Sequence, residues 1–177
     1  ALLLSSNGPC KLVQIYDIAT NTWSTGTQMP ENKMQHQAII SGNEVYVFGG
    51  RTGTNGNLLS STILCYSILT DSWITLVTPM PPGEKNSFGA CMGPDNNIYL
   101  IGGKDNLLDD SPPFISTVNV FDPQLGLFRT NETSIPIALG ENVSVASPTG
   151  IYSIGGSNGS ALGNNYFLNP CSYYISV

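Results

Sequence analysis

The chain is short of charge, and of positive charge above all. Of 177 residues only six are Lys or Arg, against twelve Asp or Glu; the net charge is −6 and charged residues make up 10%. Nucleic acid and anionic membrane surfaces are held by basic side chains that displace counterions, so neither is an expected partner. Long apolar runs are missing as well. No stretch approaches the roughly 20 residues that cross a bilayer as a helix. The opening Ala1-Leu2-Leu3-Leu4 is too short for a signal peptide, has no basic residue before it and does not start with Met, so residue 1 is expected to be a truncation or processing point. No segment carries an extended 3.6-residue apolar stripe, which argues against helices. Cysteine is limited to Cys10, Cys65, Cys91 and Cys171, none at CxxC spacing, so zinc is not expected. Four cysteines allow three pairings, among which the sequence does not choose, and buried free thiols fit equally well. No Gly-rich phosphate-binding motif follows a strand-like run.

What the chain has instead is glycine (19), proline (12) and many Asn, Ser and Thr between short apolar runs. That mix suits many short strands joined by turns. The runs repeat. Val45-Tyr46-Val47-Phe48-Gly49-Gly50, Ile98-Tyr99-Leu100-Ile101-Gly102-Gly103 and Ile151-Tyr152-Ser153-Ile154-Gly155-Gly156 each close an apolar run with Gly-Gly, at a spacing of 53 residues and 53 again. Each is preceded by a shorter run and a turn: Gln37 to Ile40 then Ser41-Gly42-Asn43, Gly89 to Met92 then Gly93 to Asn97, and Val143 to Ala146 then Pro148-Thr149-Gly150. Two β-prone runs about turn residues spell a hairpin.

After each doublet comes a long polar segment, then an aromatic-bearing strand, a turn, a second aromatic and a Pro-rich exit. Tyr66 leads to Trp73 and Met80-Pro81-Pro82, and Phe121 leads to Phe128 and Ile135-Pro136. The N-terminal piece fits the same frame, with Tyr16, Trp23 and Met29-Pro30. One unit is four short strands in about 50 residues, a period that points to propeller blades. Ala1 to Ser6 aligns with the second strand of a unit, its doublet replaced by Ser5-Ser6, and Tyr173 to Val177 reads as a third strand. The units are residues 1–34 (partial, first strand missing), 35–84, 85–139 and 140–177 (partial, last strand missing).

The pattern of apolar run, glycine doublet and spaced Tyr and Trp resembles the kelch repeat. Gly49, Gly50, Tyr66 and Trp73 match it closely; Gly102 and Gly103 match with Phe121 and Phe128 in both aromatic slots; Gly155 and Gly156 lack a final Trp. The resemblance covers nearly the whole chain. It implies an all-β fold, a kelch-type β-propeller of about three and a half four-stranded blades, with the doublet ending the second strand and Trp on the outermost. An open run of blades leaves apolar faces in water, so further blades or another chain are expected to cover them.

The function that the resemblance implies is non-catalytic: protein–protein interaction or structural assembly, with partner proteins, other subunits or glycans docking on loops around the central channel. Arg51 and Lys104 occupy the same slot after the doublet, as does Ser157, and Arg51, Asn55, Asn57, Lys104, Asp105, Asp109 and Asp110 are the candidate partner-binding loop residues. Two other readings stand beside it. One is an extracellular carbohydrate-binding or surface glycoprotein module, for which the sequons at Asn131, Asn142 and Asn158 are candidate modification sites; extracellular or cell-surface placement is slightly favoured over cytoplasmic. The other is a fragment of a kelch-fold enzyme of the galactose oxidase or sialic-acid epimerase kind. The single histidine, His36, is read as a polar residue opening a first strand. With one histidine these residues hold no complete copper site, and no catalytic group, cofactor or metal is expected. Asp105, Asp109 and Asp110 lack the alternating ligand order of a calcium loop.

Overall fold

The β-branched and aromatic runs form strands, and their side chains alternate between two buried sides. The computed structural model describes residues 9–81, 86–107, 113–129 and 133–159, which form strands and turns with no helix. The first hairpin is β1 (Val13–Asp17) and β2 (Thr22–Gly26). It is followed by β3 (Gln37–Ser41), β4 (Glu44–Phe48), a small hairpin β5 (Arg51–Thr52) and β6 (Leu58–Leu59), then β7 (Ile63–Ser67) and β8 (Ser72–Thr75). Next come β9 (Gly89–Met92), β10 (Ile98–Ile101), β11 (Thr117–Asp122), β12 (Leu127–Phe128), β13 (Thr133–Ser134), β14 (Val143–Ser147) and β15 (Gly150–Ile154).

Two sheets are complete antiparallel blades. One has the order β3-β4-β7-β8; the other has β9-β10-β11-β12, with β13 also pairing with β11. The described residues are all-β, with the four-stranded antiparallel sheets of kelch-type propeller blades, and closure into a ring is not seen among them. Among these residues the first blade contributes its outer pair β1–β2 and the fourth its inner pair β14–β15. The sequence expectations for Ala1 to Ser6 and Tyr173 to Val177 lie outside the described residues. Two elements differ from expectation: the polar segment after the first doublet folds back as β5–β6, and the exit of the third blade adds β13.

Side-chain alternation divides each strand between two neighbouring blades. On β4, Tyr46 and Phe48 join the cluster against the third blade, while Val45 and Val47 join the one against the first. On β10, Ile98 and Leu100 face the second blade's cluster, and Tyr99 and Ile101 the one with Ile151 of the fourth. This two-sided burial is why both strands read as unbroken apolar runs. The cores therefore lie between blades, where sheets pack face to face. Around the axis β9 sits between β3 and β14.

Candidate binding face at the glycine-doublet ends of the strands

The antiparallel pairing puts the start of each first strand and the end of each second strand at the same end of the blade. The glycine doublets, β5–β6 and the polar segments therefore share one face. There the inner ladder continues past the doublet without a change of register. Met34 and Arg51 exchange backbone hydrogen bonds of 2.9 and 2.7 Å, Asn86 and Lys104 of 3.3 and 3.0 Å, and Gly140 and Ser157 of 2.9 and 2.8 Å. The second glycine of each doublet has φ of +91°, +114° and +105° at Gly50, Gly103 and Gly156. A Cβ on Gly50 would sit 2.6 Å from the Met34 carbonyl oxygen, and one on Gly156 2.6 Å from that of Gly140. Only glycine fits that approach.

Opposite each doublet stands a non-glycine residue in the left-handed region: Gln35 (φ 53°), Ser87 (54°) and Glu141 (60°). Such a conformation costs about 1–2 kcal/mol. It turns the peptide tangentially, so that each blade bonds to the one before it. The Ser87 amide donates to the Gln35 carbonyl at 3.4 Å and the Glu141 amide to the Ser87 carbonyl at 2.5 Å. A backbone hydrogen bond of about 1 kcal/mol offsets much of each cost.

The residues after the doublets have diverged. Arg51 donates from Nε to the Gly56 carbonyl at 2.9 Å and from Nη1 to Gln35 Oε1 at 3.4 Å, which holds the β5–β6 hairpin to the face. Asn55 and Asn57 are exposed on that hairpin's tip. Lys104 is turned inward and 1% exposed. Its Nζ lies 3.2 Å from Glu141 Oε1 of the next blade and 5.3 Å from the Phe114 ring centroid, so it joins blades and offers little to a partner. Ser157 is half-buried and Asp105 exposed, while Asp109 and Asp110 lie outside the described residues.

Sequence reasoning passed over a buried lysine under this face, paired with a half-buried glutamate. The Lys33 ammonium donates to Gly49 O at 2.9 Å, Ser60 Oγ at 2.5 Å and Thr62 Oγ1 at 2.9 Å, and pairs with Glu31 at 2.6 Å. Burial lowers the Lys33 pKa, opposed by the hydrogen bond and charge of Glu31. Burial also works against the Glu31 charge, but donation from Lys33, Thr62 and Ser60 outweighs it and lowers the carboxyl pKa. A buried ion is tolerated when its donors are satisfied in this way. The signal available in sequence was weak: one lysine before a first strand, with hydroxyls flanking the third.

The slot after each left-handed residue holds His36, Phe88 and Asn142. Phe88 fills the core between the second and third blades. Asn142 is buried; its Oδ1 accepts the Gly89 amide at 3.1 Å and its amide donates to Ser153 Oγ at 2.8 Å. A sequon asparagine engaged this way is closed to a glycan in the folded blade. Asn158 is exposed, and Asn131 lies outside the described residues. His36 Nδ1 is buried without a hydrogen-bond partner. Burial, and then the Lys33 charge, hold the imidazole below its ordinary pKa and neutral. Among the described residues no three His, Cys, Asp or Glu side chains converge on a common point.

The aromatic slots pair across their hairpins. Tyr16 stands opposite Trp23, Tyr66 opposite Trp73 and Phe121 opposite Phe128, with ring centroids 5.0, 4.9 and 5.2 Å apart. Cys65 and Cys91 are buried free thiols, pushed by burial to about 12 and about 11, and Cys10 is an exposed free thiol. At such values neither buried thiol is reactive at neutral pH. Cys171 lies outside the described residues.

Comparison with known proteins gives a consistent picture. The family profile described as Kelch motif matches residues 34–80, which contain the second blade. Alpha-scruin of Limulus polyphemus is 27% identical over 150 residues, covering 82% of this chain and 16% of that protein. Kelch-like protein 26 of Danio rerio is 30% identical over 110 residues, 62% of this chain and 18% of that protein. Kelch domain-containing protein 3 of Mus musculus is 26% identical over 129 residues, 71% of this chain and 32% of that protein. The chain thus spans less than a third of the length of each of these relatives.

Proposed function

Because the chain is a kelch-repeat protein, we propose that it is a non-catalytic module that binds a protein partner on its glycine-doublet face. The supporting observation is the division of labour on that face. Lys33, Lys104 and the left-handed residues are spent on joining blades, which makes the floor rigid. Above it the β5–β6 tip presents Thr54, Asn55, Asn57 and Leu58 to solvent, held by Arg51. Exposed loops on a rigid scaffold are where binding residues are found, and an exposed apolar residue among polar ones suits a protein surface more than a charged ligand. The relatives' kelch repeats support the same reading.

The test is co-purification followed by quantitative binding to the recovered partner. Asn55→Arg with Leu58→Asp, on the face, should abolish binding while the thermal midpoint stays within a few degrees. Leu125→Arg, at the opposite end of the third blade, should leave binding intact. Equal loss in both variants, or in neither, refutes the assignment of the face. A second reading, a secreted glycoprotein form of the module, is favoured by the exposed sequon at Asn158. Intact mass before and after glycosidase treatment tests it: an unchanged mass ends it.

A further inference from the structure

The outer strands β2, β8 and β12 form the rim of the first three blades, and the rim is guarded unequally. In the pair β7–β8, Leu76 donates its amide to the Ile63 carbonyl at 2.9 Å, and Ile74 stands opposite Cys65. Alternation along an antiparallel ladder therefore turns the backbone N–H and C=O of Trp73 and Thr75 away from β7. Because β8 ends the order of its sheet, no strand among the described residues meets these groups. Such an edge is a template for another strand, and folded proteins blunt it with charges, bulges or covering segments.

The place of Ile74 shows the difference. In the third blade it is taken by Arg129, whose amide donates to the Val120 carbonyl at 2.8 Å. That charged residue ends β12 after Leu127 and Phe128, and pairing with β11 resumes only at β13. In the first blade the place is taken by Ser24, Gly26 ends the strand, and the exit at Thr27 is covered by Asp71 and Trp73 of the next blade. The second blade has none of these devices. Ile74 is 59% exposed and Val77 fully so. No charged residue lies between Asp71 and Glu84. At the exit of β8, Gly126 and Phe128 take the places of Asp71 and Trp73, and the Thr78 hydroxyl bonds to the Gly126 carbonyl at 2.6 Å.

We infer that β8 pairs with β8 of a second copy of this chain, antiparallel about a twofold axis at Ile74. The chain bends at Val77, so Trp73 and Thr75 are the outward-facing residues of the straight strand. The twofold register that opposes each of them to an outward-facing residue is the one centred on Ile74. Trp73 then exchanges both backbone hydrogen bonds with the partner's Thr75, and Thr75 with the partner's Trp73. Ile74 meets the partner's Ile74 as a non-hydrogen-bonded pair, where side chains approach most closely. The Trp–Thr pairs on either side are of the aromatic and β-branched kind that stabilises sheets. Charge favours this contact over others between copies. Two chains of net charge −6 repel over most of their surface, but Ser72 to Gly83 bring no charge to the axis. The same patch serves both copies, so the assembly closes and does not grow. A contact over Ser72 to Leu76 is small and belongs to the transient class, so the pair is weak and depends on concentration. The inference is independent of which molecule binds the glycine-doublet face.

The experiment uses the whole chain with the exposed thiol removed by Cys10→Ser. Chains carrying Ile74→Cys, Ser24→Cys or neither are oxidised at equal concentration. Directly opposed residues of a non-hydrogen-bonded pair lie within disulfide range. Ile74→Cys should therefore give a linked pair of twice 18.8 kDa, while Ser24→Cys and the background stay single. Sedimentation of the unsubstituted chain at rising concentration should show a reversible doubling of mass. Ile74→Arg, which installs the residue native to this place in the third blade, sets like charges directly opposite each other. It should raise the dissociation constant by about tenfold or more, and at this exposed position the thermal midpoint should stay within a few degrees. A constant single mass with no linked pair from Ile74→Cys overturns the inference. That is the result expected if a strand of a different protein, or of the same polypeptide, occupies the edge. Equal linkage in all three chains, or a doubled mass indifferent to Ile74→Arg, places the contact elsewhere and overturns it as well.

Discussion

The hairpins β1–β2 and β7–β8 are built alike and end in different surroundings. In both, a Tyr packs on the Trp directly opposite, at 5.0 and 4.9 Å with ring planes 39° and 41° apart. In both, the Tyr hydroxyl donates at 2.5 Å to the side chain five residues on, Asn21 in one and Asp71 in the other, each in the left-handed region. Yet Tyr16 is 43% and Trp23 67% exposed, whereas Tyr66 is 6% exposed. The difference is the neighbour. Asp71 accepts from the backbone amide (2.8 Å) and hydroxyl (3.0 Å) of Thr27, and Trp73 Nε1 donates to the Thr27 carbonyl at 2.7 Å. The exit of the first blade is thus clasped by the second. The turn and its aromatic pair are local products of sequence; what the pair does for stability depends on whether another blade arrives.

The largest expected contrast is between the tryptophans. Trp73→Ala removes packing against the first blade and the bond to Thr27, and should cost roughly 2–4 kcal/mol. Trp23→Ala should cost under about 1 kcal/mol. Urea midpoints decide, and equal losses would break the comparison. Next is the hydroxyl. Tyr66→Phe strips a donor from Asp71 inside the clasp and should cost about 1–1.5 kcal/mol, while Tyr16→Phe should cost about half a kcal/mol or less.

A smaller effect should be legible in pH. Donation from Tyr66, then from Thr27, holds the Asp71 carboxyl below its ordinary value of 3.8. A carboxyl depressed in the folded state adds stability that is present above pH 3.8 and lost as pH falls through the folded value. Asp71→Asn should therefore flatten the acid limb of the stability curve, and Asn21→Asp should deepen it by the local Tyr16 contribution alone. Carboxyl NMR titration would show both, and an Asp71 titrating at or above 3.8 would contradict the geometry. The smallest effect belongs to the third blade. There Phe121 has no hydroxyl, and Gly126 (φ 67°) occupies the slot of Asn21 and Asp71 with nothing within 4 Å of a Cβ. Asn tolerates that conformation, so Gly126→Asn should change stability by less than about 0.5 kcal/mol.

Much of this was readable from residues. Gly49-Gly50, Gly102-Gly103 and Gly155-Gly156 sit at equivalent strand ends, and Tyr66 and Trp73 face each other as their spacing indicates, because strand period and turn chemistry are short-range properties. The candidate site was less legible. Arg51 and Lys104 share a slot, but one anchors a surface hairpin and the other lies buried against Phe114 and Glu141, the latter 37 positions along the chain. The Lys33–Glu31 cluster needed Ser60 and Thr62, distant in sequence, to be seen at all. The two-residue strands β5, β6 and β13 are too short to carry a periodicity.

Composition and the 53-residue repeat by themselves determined an all-β chain of four-stranded units, the position of every doublet, and the pairing of aromatics within each hairpin. Hydrogen-bond ladders and turns act over a few residues, and the sequence encodes them directly. The tertiary structure alone decided which side chains are buried, which cations became internal struts, and that Gln35, Ser87 and Glu141 hold left-handed backbones to link one blade to the next. Those outcomes depend on surfaces from separate repeats meeting across an interface, and burial and electrostatics are properties of the interface, not of either strand alone.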